Sequence, residues 1–311
     1  MKTKSSLRFC GLAALAGAAA LASVTARGNI FVTNFSNGTI GEYTNSGATV
    51  NASLVGTMAT PFGIAISGSD LFVTSIDGTI GEYTTSGGTI NSSLLSIGKE
   101  PTGIAISGSD LFVANISAGT IGEYTTSGGT VNSSLLAGLG SPVSMAISGS
   151  DLFVSDNGGT VGEYTTSGGT VNASLISGLK TSSTAPYGIA VSGSDLFVVN
   201  QGASTGTISE YTISGSTATL VNASLITGLD NPYYIAISGS DLFVANFGND
   251  TIGEYTTSGG IVNTALIPKN SSISPVGIVV TAVPEPASLS LLAIGGVALL
   301  VRRRASRGSI V

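Results

Sequence analysis

One segment recurs along this chain at a nearly fixed period, and that period restricts the fold more than any other feature. The phrase SGSDLFV begins at Ser67, Ser107, Ser148, Ser192 and Ser238, and a shorter relative, GNIFVTN, begins at Gly28. The strand-like core of each copy starts at Asn29, Asp70, Asp110, Asp151, Asp195 and Asp241, so successive copies lie 41, 40, 41, 44 and 46 residues apart. A period of about 40–50 residues suits a four-stranded blade, whereas leucine-rich coils repeat every 20–29 or so.

Each period parses into four strands. GIAIS is a short apolar run, read as an inner strand buried on both faces. SGS follows as a turn, where glycine is free to take positive φ. DLFVAN and GTIGEYTT form the second and third strands, the latter rich in residues that favour strands. After SGG, TVNASLI alternates with Val, Ala and Leu on one face, the pattern of a half-exposed outer strand. A loop ending in proline then leads to the next inner strand.

The two ends of the array complement each other. The first copy lacks an inner strand, and the last is followed by a lone one, GIVVT at residues 277–281. The C-terminal strand therefore completes the blade begun by the N-terminal strands. The expected fold is all-β: a six-bladed β-propeller of four-stranded blades, its ring closed by N- and C-terminal strands. Closure hides the edges that an open array exposes. An open β-solenoid, the alternative, has no use for complementary ends.

The segments flanking residues 28–283 read as addresses. Lys2, Lys4 and Arg8 precede an Ala- and Leu-rich stretch that ends in Val24-Thr25-Ala26, so residues 1–26 form a secretory signal peptide cut after Ala26, or alternatively after Ala22. The only cysteine, Cys10, lies in that leader and leaves the mature domain without disulfides. At the other end Val283-Pro284-Glu285-Pro286 precedes an uncharged apolar stretch, residues 287–301, and then Arg302, Arg303, Arg304 and Arg307. The apolar stretch is expected to form a short transmembrane helix. The arginines are expected to stay cytoplasmic, placing the propeller outside.

Two resemblances follow from these residues. Residues 283–311 resemble a PEP-CTERM sorting signal: a Pro-Glu-Pro motif, an apolar helix and a basic tail. That resemblance implies a Gram-negative bacterium that makes extracellular polysaccharide and exports the chain by the secretion translocon and signal peptidase. It further implies transient anchoring in the inner membrane and an exosortase partner that removes the tail, leaving the protein in the envelope, at the cell surface or in the extracellular matrix. The repeats, with P-x-G-I-A-I-x(4)-D-L-F-V-A-N and I-x-E-Y, are similar to NHL repeats. The His-Arg pair that usually precedes the third strand of an NHL copy is replaced here by Gly-Thr.

Charge narrows the partners. Residues 28–283 carry three lysines, Lys99, Lys180 and Lys269, against sixteen acidic residues, a balance of −13. A nucleic-acid backbone requires clustered Lys and Arg, so nucleic acid is not an expected partner.

Three sets of residues recur at positions suited to chemistry. Asn34, Ser75, Asn115, Asp156, Asn200 and Asn246 end the second strands, where oxygen donors suit Ca²⁺ or cap the following turn. No cofactor is otherwise expected, and these are the metal candidates: Asn34, Asn115, Asp156, Asn200 and Asn246. Glu42, Glu82, Glu123, Glu163, Glu210 and Glu254 recur in the third strand, where glutamate is unusual. Buried carboxylates need partners, and hydrogen bonds from neighbouring Thr, Ser or backbone groups are expected, with a six-fold metal belt as the alternative. Finally, Phe62, Tyr187 and Tyr233, with Tyr234 beside the last, follow the proline that opens a blade, where aromatic faces suit sugar rings or pack against the adjacent blade.

No enzyme is expected. The chain has no histidine, no cysteine outside the leader and no tryptophan, while catalysis needs a few unlike groups brought together. The leading expectation is a non-catalytic exported propeller that binds extracellular polysaccharide or plays a structural part. The alternative is a secreted hydrolase or lyase that uses an oxygen-ligated divalent metal.

Overall fold

The computed structural model describes residues 28–281, apart from 99, 271 and 272. Among the described residues, 24 strands form six four-stranded antiparallel sheets. Blade 1 takes β1 (Asn29–Asn34), β2 (Thr39–Thr44) and β3 (Thr49–Val55) from the start of the domain. Blade 2 is β4 (Pro61–Ser67), β5 (Asp70–Ser75), β6 (Thr79–Thr84) and β7 (Thr89–Ser96). Blade 3 is β8 (Pro101–Ser107), β9 (Asp110–Asn115), β10 (Thr120–Thr125) and β11 (Thr130–Ala137). Blade 4 is β12 (Pro142–Ser148), β13 (Asp151–Asp156), β14 (Thr160–Thr165) and β15 (Thr170–Ile176). Blade 5 is β16 (Ala185–Ser192), β17 (Asp195–Gln201), β18 (Gly206–Ser214) and β19 (Thr217–Leu229). Blade 6 is β20 (Pro232–Ser238), β21 (Asp241–Asn246), β22 (Thr251–Thr256) and β23 (Ile261–Ile267), and β24 (Pro275–Val280) returns to blade 1.

The ring closes as the complementary ends require. β24 pairs antiparallel with β1, with Ile30 opposite Val280, Phe31 opposite Val279 and Val32 opposite Ile278. The Asn29 amide donates to Thr281 Oγ1 at 2.6 Å, and the Phe35 amide donates to the Ser274 carbonyl at 2.9 Å. Inner strands β4, β8, β12, β16, β20 and β24 each touch the next around the axis, and β24 touches β4. Glycine permits this approach. A Cβ on Gly63 would lie 2.3 Å from the Thr102 carbonyl oxygen, and one on Gly277 would lie 2.2 Å from that of Phe62.

Burial corrects the reading of two strands. The doubly buried strand is the second of each blade, not the inner one. In β9, Leu111 and Val113 pack against Phe72, Ile80 and Leu95 of blade 2. Phe112 and Ala114 of the same strand pack against Leu152 and Val154 of blade 4. The second strand lies midway along the blade, where both neighbouring sheets cover it. Inner strands lose that cover toward their C-terminal ends, where residues such as Ile106 and Ser107 are partly exposed.

The outer strand departs from simple alternation. In blade 1, Ile40 pairs with Val55 but Glu42 pairs with Asn51, so the outer strand carries extra, bulged residues. Bulges re-aim side chains, and no further sheet lies beyond this edge. Val50 is consequently 52% exposed and Val131 54% exposed, while burial falls instead on Val55 and Leu136 at the strand ends. In the third strand, tyrosine folds back over the glycine two residues before it: a Cβ on Gly162 would lie 2.6 Å from the Tyr164 ring. An aromatic ring laid over a strand glycine restores the cover that the missing side chain leaves out.

The leader at residues 1–26, its cleavage site at Ala26, the Val283–Pro286 motif, the apolar stretch and Arg302–Arg304 all lie outside the described residues. Among the described residues, no helix is long and apolar enough to cross a membrane.

Candidate functional site

The loops that open each blade and the turns that follow each second strand share one face of the ring. The candidate aromatics converge there. Phe62 packs edge-on against Tyr233 and Tyr234, each with ring centroids 6.0 Å away. Tyr187 meets Tyr233 at 5.0 Å. Two residues that sequence reasoning missed complete the group: Phe35, 6.3 Å from Phe62, and Phe247, 5.1 Å from Tyr233. Both follow a second-strand asparagine, Asn34 or Asn246, and that shared offset is the signal that could have found them.

The four candidates do not share one exposure. Phe62 and Tyr234 are buried, each 8% exposed, whereas Tyr187 and Tyr233 are half-buried. Tyr234 occupies the slot that glycine holds in blades 1, 2, 3 and 5. Its phenol donates to the Val143 carbonyl oxygen at 2.9 Å. Blades 4 and 6 are not neighbours, so this bond bridges two non-adjacent blades across the axis of the ring. Burial pushes the Tyr234 phenol far up, and it stays a neutral donor. Burial also raises Tyr187, with Tyr233 adding to the shift and a hydrogen bond to Gln201 opposing it. The result is an aromatic cluster on this face, in which Tyr187 and Tyr233 are the half-buried members.

The second-strand polar residues mainly tie turns. Asn34 Nδ2 donates to Thr39 Oγ1 at 3.2 Å, Asn115 Nδ2 to Thr120 Oγ1 at 3.3 Å, and Asn200 Nδ2 to Ser209 Oγ at 2.7 Å. Asp156 accepts from the Ser141 amide at 2.9 Å and the Gly158 amide at 2.6 Å. Asn246 is buried, and its Oδ1 has no hydrogen-bond partner. Among the described residues, no three His, Cys, Asp or Glu side chains are grouped to hold a metal.

The repeated glutamates lie on the opposite face. In blade 1, Asn29 Nδ2 donates to Glu42 Oε1 at 2.6 Å. In blades 2–5, aspartate replaces that asparagine. There Glu82, Glu123, Glu163 and Glu210 are all pushed up, first by burial and then by the charge of Asp70, Asp110, Asp151 or Asp195.

The virginiamycin B lyase family matches residues 12–287, nearly the whole chain. The chain belongs to the virginiamycin B lyase family. A PEP-CTERM protein-sorting motif matches residues 282–304, and that motif marks a chain for export and exosortase processing. A search of curated proteins gives no match. Among solved structures, the family fold is shared with a virginiamycin B lyase from Staphylococcus aureus, at 21% identity and a TM-score of 0.59 over 81% of this chain and 84% of that one. A catalytically inactive histidine-to-alanine variant of the lyase from that organism, with quinupristin, matches at 19% identity and a TM-score of 0.58, covering 82% and 89%. A chain in a nidogen/laminin complex matches at 15% identity with a TM-score of 0.66, covering 81% and 98%. The NHL-like reading of the repeats agrees with this propeller family.

Proposed function

We propose that this protein is an exported, non-catalytic member of its family that binds extracellular polysaccharide through the aromatic cluster of the ring. The observation that carries the reading is Tyr187 and Tyr233, half-buried and in edge contact beside Tyr234, whose phenol bridges blade 6 to blade 4. Half-buried aromatic rings suit the apolar faces of sugars. The tail supports an envelope address, where such polymers occur. Each contact is weak, and retention comes from several contacts along one polymer.

Family membership favours a second reading, a lyase. Against it stands the chain's lack of histidine. The catalytically inactive Staphylococcus aureus lyase differs from its parent at a histidine, so chemistry that rests on such a group has no counterpart here.

The test is retention of the purified protein on polysaccharide from its native host, with and without calcium. Wild type is expected to be retained, and the double variant Tyr187→Ala, Tyr233→Ala to elute at least about tenfold earlier in concentration terms. No retention of wild type defeats the polysaccharide reading. Turnover of quinupristin, a glycan or a lactone defeats the non-catalytic one.

A further inference from the structure

On the face away from the aromatic cluster, blades 4 and 5 enclose a cleft of about 410 Å³. Asp151 and Glu163 line it. Glu163 lies opposite Phe153 in the ladder, and Asp151 lies two residues before Phe153, so both carboxylates project from one face of blade 4. Blade 5 provides the facing wall with Val191, Ile213 and the tip of the β18–β19 hairpin at Gly215 and Ser216. That hairpin is three residues longer than its counterparts: Glu210 pairs with Asn222, whereas Glu163 pairs with Asn172. The extra length carries its tip over blade 4, where Asn172 Nδ2 donates to the Ser216 carbonyl at 3.0 Å.

Glu163 is 3% exposed, and its Oε2 has no hydrogen-bond partner. A buried carboxylate oxygen left in this way is costly unless something complements it. Among the residues lining the cleft there is no lysine or arginine. Blade 1 shows how the chain satisfies the same glutamate internally, with an amide from Asn29. Blade 4 has Asp151 at that position, which adds a second negative charge where a donor is needed.

We infer that the cleft between blades 4 and 5 is a binding site for a primary alkylammonium ion, its head held by Asp151 and Glu163 and its stem by Val191 and Ile213. An ammonium carries three donors and no acceptor, which two carboxylates can absorb. A short methylene stem matches the apolar wall. Calcium fits less well, since it takes 6–8 oxygen ligands while the cleft offers two carboxylates, and the Ser216 carbonyl is already engaged. The site lies apart from the aromatic cluster and does not depend on the polysaccharide reading.

The test is calorimetric titration of the purified full chain with n-butylammonium, methylammonium and Ca²⁺. Saturable binding of one n-butylammonium is expected, and methylammonium should bind at least about tenfold more weakly because it lacks the stem. Glu163→Gln and Asp151→Asn should each weaken n-butylammonium at least about tenfold. Asp151→Asn recreates the pair that blade 1 already folds with, and an unchanged or higher melting temperature for that variant separates lost binding from lost structure. Tyr187→Ala with Tyr233→Ala should leave the titration unaltered. Nα-acetyl-lysine methylamide and glucosamine, as further arms, tell a lysine side chain from an amino sugar as the source of the ammonium. Absence of saturable n-butylammonium binding, binding unchanged in both carboxylate variants, or binding of Ca²⁺ alone would overturn the inference.

Discussion

Tyr234 stands where most inner strands carry glycine, and its phenol reaches the Val143 carbonyl across the axis. Replacing it with phenylalanine keeps the ring packed but leaves that buried carbonyl unpaired, at a cost of about 1 kcal/mol. Alanine removes the buried ring itself, for which about 3–5 kcal/mol is expected. Urea unfolding of the two variants separates these outcomes, and equal stabilities would deny the buried ring its role. The four raised glutamates make a second prediction at this scale. Glu82, Glu123, Glu163 and Glu210 hold protons more tightly folded than unfolded, with Asp70, Asp110, Asp151 and Asp195 facing them. Their contribution is full below the ordinary carboxylate range and is lost as pH rises through the raised folded values. The melting temperature should therefore rise as pH falls toward the ordinary carboxylate range, about 4.3. The quadruple glutamine variant should flatten that slope, and a slope of the same size in the variant would refute the assignment.

β24 is the element on which the rest closes. Deleting residues 275–281 strips the β1 ladder and removes Val276 and Ile278, both deep in the core. At about 1 kcal/mol for each hydrogen bond and about 2 for each buried side chain, the loss is on the order of 5 kcal/mol or more. Thermal unfolding should show a sharp fall, and a melting temperature within a few degrees of wild type would contradict the closure. Strand order and ring closure were legible because the first and last copies are truncated in complementary ways. The outer strands were not, because their exposure depends on bulges such as the one between Ile40 and Glu42, and alternation alone assumes an unbroken register. Inner strands were misread for a related reason. An apolar run such as GIAIS reports the whole strand, while its burial falls off toward the strand's C-terminal end.

At the scale of the molecule, the repeat specified six blades and their positions around the ring. It therefore also placed Phe62, Tyr187 and Tyr233 at equivalent points, each one residue after a blade-opening proline. Phe35 and Phe247 escaped notice because they come from a different part of the repeat and meet the others only once the ring has formed. The cleft at Glu163 was hidden in the same way: it exists because one hairpin of blade 5 outgrows its counterparts and reaches a neighbour. Processing makes a prediction at this scale too. The protein recovered from its host should have an intact mass matching a start after Ala26 or Ala22 and an end near Pro284–Pro286. Retention of Arg302–Arg304 in the extracellular form would instead indicate a permanent anchor.

The pairing of β1 with β24 joins residues as far apart in sequence as Asn29 and Thr281. Order of synthesis gives that contact a second meaning. A chain made and exported from its N-terminus presents β1 first and must wait for nearly every later residue before blade 1 can be finished, while the blades between can stack as they emerge. Loop closure over such a length is slow compared with local pairing. The ring therefore works as a length gauge: a stalled or clipped chain keeps a bare strand edge, and only a chain delivered as far as Val280 can cover it. Since the closing strand ends just before Pro284, cutting at the sorting motif would release a ring that is already sealed.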